Sequence, residues 1–141
     1  MFTDLHNSIK ATRGISPITG TDDTALVSQI IDRAGYEALT FVILAGTLAD
    51  ADAVVTFLVE DGANASLTDN AAVADGFLIG TEAPTIFYSD DNLVRKISYI
   101  GPKRYVRLTL TPANNTGSLP VAVVALLGSA RDLGVAKGTG E

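Results

Sequence analysis

The chain has 141 residues and a net charge of −6, and this composition excludes several classes of protein. The absence of cysteine rules out disulfide frameworks and thiolate metal sites, and the acidic balance argues against general nucleic-acid binding. No apolar run approaches the about 18 residues of a membrane span. The first residues also lack the basic and apolar regions of a secretory signal. We expect a soluble acidic domain that is made and kept without export.

Residues 1–20 differ from the rest of the chain, because they are slightly basic and show no clean hydrophobic period. Their apolar residues, among them Phe2, Leu5 and Ile9, are too many for a segment that stays in water. The pattern predicts an extended N-terminal arm that is ordered only against a neighbouring molecule, with these three residues as contacts. Deleting the arm should then leave a folded domain. The alternative is a frayed terminus.

Short strand candidates follow between turn signals, and we place them at residues 25–31, 39–45, 53–60, 76–80, 85–88 and 119–127. Residues 39–45 and 121–127 are apolar on both faces, which predicts central strands that are covered on both sides. Helix is the alternative for residues 48–59 and 67–74. The spacing predicts an all-β protein, an antiparallel β-sandwich or jelly-roll-like barrel over residues 21–131. Residues 132–141 are glycine-rich and predict a flexible tail.

Residues 90–110 predict a basic β-hairpin, because two runs of alternating side chains flank Gly101-Pro102. Five of the ten Lys and Arg lie in this hairpin. The predicted contacts to an acidic partner are Arg95, Lys103 and Arg107 with Tyr105, since both arginines share their rows with apolar or aromatic side chains. The alternative, which is the more common case, is a solvated hairpin surface.

Candidate catalytic residues are scarce. His6 is the only histidine and no cysteine is present, so neither a His-activated nucleophile nor a zinc shell can be built in the usual way. Carboxylates occur in pairs at residues 22–23, 50 and 52, 60–61 and 90–91, and they could in principle serve a glycosidase or a calcium ion. We place each pair in a turn, where Asp caps the backbone. We expect no enzyme activity, no metal and no cofactor.

Several segments resemble a group of small proteins of tailed bacteriophages and prophages, which are encoded near the major capsid protein. The resemblance covers nearly the whole chain up to residue 131. It is carried by D-L-H-N-S-I-K (4–10), G-Y-E-A-L-T-F-V-I (35–43), G-T-L-A-D-A-D-A (46–53), V-R-K-I-S-Y-I-G-P-K-R-Y-V-R-L-T (94–109) and P-V-A-V-V-A-L-L-G-S-A-R (120–131).

The resemblance implies a structural virion protein, a capsid decoration (cement) protein that is made in the host cytoplasm and binds the exterior of the assembled capsid. Its implied partners are the phage major capsid protein and sister copies in a homotrimer, with no nucleic acid and no membrane. It offers no catalytic residue. The alternative is a receptor- or glycan-binding module of a head fibre, spike or tail, and a small glycan hydrolase is a third reading.

Overall fold

The computed structural model describes residues 4–80, 82, 86–87, 89 and 91–130, which form two antiparallel β-sheets packed against each other. The predicted all-β sandwich is therefore confirmed. The described part of the chain contains no helix long and apolar enough to cross a membrane. The elements are β1 (Ile9–Gly20), β2 (Leu26–Val27), β3 (Ile31–Asp32), β4 (Tyr36–Ala45), β5 (Val54–Gly62), β6 (Ala71–Ala72), β7 (Leu78–Ile79), β8 (Ile86–Phe87), β9 (Val94–Tyr99), β10 (Tyr105–Ala113) and β11 (Leu119–Ala130), with single 3₁₀ turns at His6–Ser8 and Asp75–Phe77.

The first sheet has the strand order β1-β11-β4-β9-β7, so the predicted central strands β4 and β11 do lie in its middle. Along β4 the residues alternate, with Leu39, Phe41 and Ile43 buried and the residues between them at least partly exposed. The prediction that both faces are covered is wrong for this sheet. Apolar residues on both sides of a strand do not reveal whether a second layer of the same chain covers each side.

The second sheet has the order β2-β10-β5-β6, with β3 also on β10 and β8 also on β5. The segment 25–31, predicted as one strand, forms two short strands because Ser28 interrupts the ladder. Its backbone N–H donates to the Leu108 carbonyl at 2.8 Å, and the Leu108 N–H donates to the Ser28 hydroxyl at 2.9 Å. The side chain thus replaces a backbone group in the pairing.

The core lies between the sheets and is lined by the inward row of each long strand. Phe41 and Ile43 of the first sheet and Val55, Leu108 and Leu110 of the second have no exposed surface. Fully burying such a side chain stabilises a fold by about 1.5–3 kcal/mol. Because side chains alternate along a strand, each of these strands supplies the core with every second residue.

The predicted hairpin at residues 90–110 is wrong as a pairing. Its first arm, β9, pairs with β4 and β7 in the first sheet, while its second arm, β10, pairs with β5, β2 and β3 in the second. The turn at Gly101-Pro102 therefore carries the chain across the sandwich from one sheet to the other. Alternation predicted both strands and the two rows of each, but it did not tell which row is buried, and it cannot tell a hairpin from such a crossover.

The predicted arm at residues 1–20 needs a correction for Ile9–Gly20, which form the edge strand β1 of the chain's own first sheet. Two register shifts, one on each side of Ile15, explain the missing period. The first lies at Gly14, where a Cβ atom would come within 2.8 Å of a Val123 methyl carbon. Ile15 itself is only 9% exposed and belongs to the core.

The remaining predictions differ in outcome. Residues 54–62 are strand β5, so the helical alternative for 48–59 is wrong, and residues 67–74 hold the short strand β6 within turns. The predicted tail at residues 132–141 and Phe2 lie outside the described residues.

Candidate functional site

The outer face of the first sheet is apolar and exposed. In an antiparallel sheet, directly paired residues point to the same side. The pairing aligns Ala122 of β11, Leu44 of β4 and Val94 of β9 in one outward row. Leu44 is 54% exposed and Val94 is 57% exposed, so neither is covered by the described chain. A shallow groove of about 520 Å³ adjoins this row beside β1 and includes Ile18.

The next outward row joins Arg13, Val124, Val42 and Lys96 across four strands. Val124 is 41% exposed in its middle, and the two basic residues close its ends. Among the described strand positions on this face, Arg13 and Lys96 carry the only charges. We call this surface, from Leu44, Val94 and Val124 to Arg13 and Lys96, the sheet-1 face.

A third outward row adds Leu126, Thr40, Ser98 and Ile79, the last of which is 60% exposed. The Thr40 and Ser98 hydroxyls hydrogen-bond to each other at 2.7 Å. Because these two polar groups are paired with each other, covering the row leaves no hydroxyl without a partner. This third row can therefore be desolvated at small cost.

The outer face of the second sheet has the opposite character, since polar pairs occupy it. Arg107 donates to Glu60 at 2.8 Å, and the Asn70 amide donates to the other Glu60 oxygen at 2.6 Å. Arg104 holds Asp32 through two hydrogen bonds of 2.8 and 3.0 Å, which lower the pKa of that carboxyl. These groups are already partnered within the chain, apart from the buried Arg107 Nε, which has no acceptor.

Arg33 is buried at 3% exposure and was not anticipated from the sequence. Its guanidinium donates to the backbone carbonyls of Lys103, Gly101 and Glu37 at 2.6–3.2 Å and lies 4.8 Å from the Tyr99 ring centre. It thereby fixes the crossover between the two sheets. A single arginine in a loop carries no sequence pattern that marks it as buried.

The predicted contact residues do not share one face. Arg95 is half-buried on the inward side of the first sheet, while Arg107 and Tyr105 are half-buried on the outer face of the second. Lys103 is exposed on the crossover. Of the predicted arm contacts, Leu5 is 68% exposed; Ile9 is half-buried at the start of β1, and Phe2 lies outside the described residues.

Two carboxylate pairs cap turns, as predicted. Asp50 accepts from the backbone N–H groups of Asp52 and Thr116, both at 2.8 Å, and these bonds lower its pKa. Asp22 and Asp23 accept from backbone N–H groups in the same way. Glu60 and Asp61 instead lie on strand β5 and bind side chains, so their predicted turn is wrong. The described residues contain no cluster of three or more metal-binding side chains.

No protein-family model matches the sequence, and no curated protein matches it. Among solved structures, the chain is similar to the PBSX exported protein XepA, with a TM-score of 0.50 and 13% identity over 86% of this chain and 38% of that one. A xylan-binding module, CBM15, has a TM-score of 0.43 and 10% identity over 91% of this chain and 95% of that chain.

The enzymatically active domain of a bacteriophage CBA120 tailspike protein has a TM-score of 0.44 and 12% identity over 86% of this chain and 19% of that chain. The chain thus spans well under half the length of both phage-related structures. At 13% identity the likeness to the exported protein shows a shared fold alone.

Proposed function

We propose that this chain is a structural virion protein that decorates a phage head by binding the assembled capsid through its sheet-1 face. The exposed apolar face carries the proposal. Contiguous exposed apolar surface on a protein usually marks an interaction site. Leu44, Val94, Val124 and Ile79 are each between 41% and 60% exposed on one side of one sheet. The sequence resemblance to small phage proteins supports the choice of a phage capsid as the partner.

The proposed role needs no catalytic chemistry. A protein that binds the assembled shell, and not the free subunits, stabilises the shell by mass action. Closed homotrimers fit the three-fold positions of a capsid. The proposal therefore includes a homotrimer of this chain at such a position.

The second candidate is a glycan-binding module, for which the outer face of the second sheet would be the site. Tyr105 and Phe87 are aromatic side chains on that face, but they lie on different strands, and the Arg104 guanidinium lies 5.0 Å from the Tyr105 ring centre. Glu60 already accepts hydrogen bonds on both oxygens. A sugar would have to displace these partners, so this candidate is the weaker one.

The test uses particles of the phage or prophage that encodes the chain, made from a gene deletion and complemented with variants. Wild-type protein should be present in hundreds of copies when the particles are counted by quantitative mass spectrometry. Leu44→Asp should be lost from the particles, because it places a carboxylate in the apolar row of Ala122, Leu44 and Val94.

The matched control is Val27→Asp, since Val27 is 52% exposed on the second sheet and Leu44 is 54% exposed on the first. Both variants should keep the circular dichroism and melting temperature of the wild type. A copy number of a few dozen or fewer would contradict decoration and favour a spike or tail role. Equal loss of both variants would remove the sheet-1 face from the proposal.

A further inference from the structure

The two charges on the sheet-1 face end the same row. Arg13 lies on the edge strand β1, Lys96 lies on β9, and Val124 and Val42 lie between them. Neighbouring strands are about 4.8 Å apart, so the backbones of the two basic residues are separated by about 14 Å. Within the described residues, neither cation has a carboxylate partner. The partners of the Arg13 guanidinium are uncharged, since it donates to the Ser16 hydroxyl at 3.2 Å and to the Gln29 side-chain amide oxygen.

This arrangement disfavours the two symmetric pairings of the face that superpose the charged row on itself. A two-fold axis parallel to the strands, through the middle of the row, would place Arg13 over Lys96 of the second copy. An axis along the row would place Arg13 over Arg13 of the second copy, and Lys96 over Lys96 of the second copy. In either case like charges meet across a desolvated contact, which costs free energy.

The described chain also offers no second patch that would match the sheet-1 face. The other exposed large apolar side chains are Leu5 before β1, the neighbours Phe77 and Ile100 beside β7 and β9, and Val27 and Phe87, which lie at opposite edges of the second sheet with β10 and β5 between them. The polar pairs of Arg107 with Glu60 and of Arg104 with Asp32 lie on that sheet's outer face. A head-to-tail contact between copies would bury these groups against valine and leucine.

We infer that the sheet-1 face docks on a different protein, whose surface presents an apolar patch flanked by carboxylates about 14 Å apart. The inference rests on the proposed function and names the chemistry of the partner surface. Arg13 and Lys96 set the orientation, since each meets an acidic group at one end of the valine row, and the apolar rows supply the buried area. The contact joins two different proteins, and the sheet-1 face itself does not join copies of this chain, so a trimer would use other surfaces.

The experiment measures cosedimentation of purified protein with gene-deleted particles at low and high salt. The double variant Arg13→Glu/Lys96→Glu should bind at least tenfold more weakly than wild type at low salt. The matched control is Lys10→Glu/Lys103→Glu, which makes the same change in net charge outside the sheet-1 face and should bind like wild type. Wild-type binding should also weaken as salt rises.

The outcomes separate the two proposals. Equal binding by the two double variants overturns the inference and leaves the proposed function standing. A wild-type protein that does not bind the particles overturns both. Analytical ultracentrifugation adds an independent check. A wild-type oligomer that Leu44→Asp converts to a monomer identifies a second copy as the occupant and overturns the inference.

Discussion

Tyr99 is the residue at which the two sheets and the crossover meet. It is 1% exposed, and its hydroxyl donates to the Asp61 carboxylate at 2.6 Å and accepts from the Lys103 N–H at 2.9 Å. Asp61 belongs to β5 in the second sheet, whereas Tyr99 ends β9 in the first. A Cβ atom at Gly101 would lie 2.6 Å from the Tyr99 hydroxyl oxygen, so the close turn over the ring requires glycine there.

The Tyr99→Phe variant should lose about 1–3 kcal/mol of stability at neutral pH, because it leaves buried hydrogen-bonding groups without a partner. Burial and the hydrogen bond to Asp61 raise the Tyr99 pKa from 10.0 to about 12. Folding therefore favours the neutral phenol. The resulting stability is fully present below pH 10 and is lost as the pH rises towards 12.

Urea unfolding of wild type and Tyr99→Phe at pH 8 and pH 11 checks this expectation. The stability difference between them should shrink by about 1 kcal/mol at the higher pH, since one pKa unit corresponds to about 1.4 kcal/mol. A difference that is the same at both pH values would contradict the raised pKa.

At the scale of strands, β4 offers adjacent positions with opposite surroundings. Phe41 has no exposed surface and points into the core, while Val42 points outward on the sheet-1 face. Phe41→Ala should cost about 3–5 kcal/mol as a truncation of a core aromatic side chain. Val42→Ala should cost less than about 1 kcal/mol in the isolated protein. Chemical denaturation measures both, and comparable costs would contradict the assigned faces.

The edge strand β1 yields a second expectation at this scale. Deleting residues 1–8 should leave the melting temperature nearly unchanged, because β1 and its ladder with β11 remain. Deleting residues 1–20 should destabilise the domain strongly, since it removes Ile15 from the core and opens the edge of β11. Circular dichroism during thermal melting distinguishes the two. If the protein without residues 1–20 is as stable as the protein without residues 1–8, residues 1–20 are a separable arm and this expectation is wrong.

Alternation in the sequence was enough to predict the long strands β4, β5, β9, β10 and β11 and the core position of Phe41, but it did not predict β1 or which rows of β9 and β10 are buried. Pairing was not predictable in the same way, because a period of two is identical in a hairpin and in a crossover. Arg33 and the interrupted strand at Ser28 depend on contacts with distant loops and strands. The sheet-1 face escaped detection because an apolar outward row looks like a core row in the sequence.

Across the whole molecule the two outer faces are chemically unlike. One presents exposed aliphatic side chains with basic ends, and the other presents ion pairs that are already formed within the chain. The distribution of charges along the sequence, with half of the basic residues in 90–110, suggested a single basic surface. Folding distributes them instead, since β9 and β10 belong to different sheets. A molecule with such unlike faces has a defined orientation when it lies on a larger surface.

The position of β11 in the first sheet has a consequence for synthesis of the protein. This strand lies between β1 and β4 in space, yet it follows the ten other strands along the chain. While residues 119–130 are still inside the ribosome, β1 has no ladder partner and one edge of β4 stands open. Folding of the first sheet must therefore wait until residues 119–130 have been made, and until then the register shifts and the proline of β1 disfavour wrong pairing at that edge.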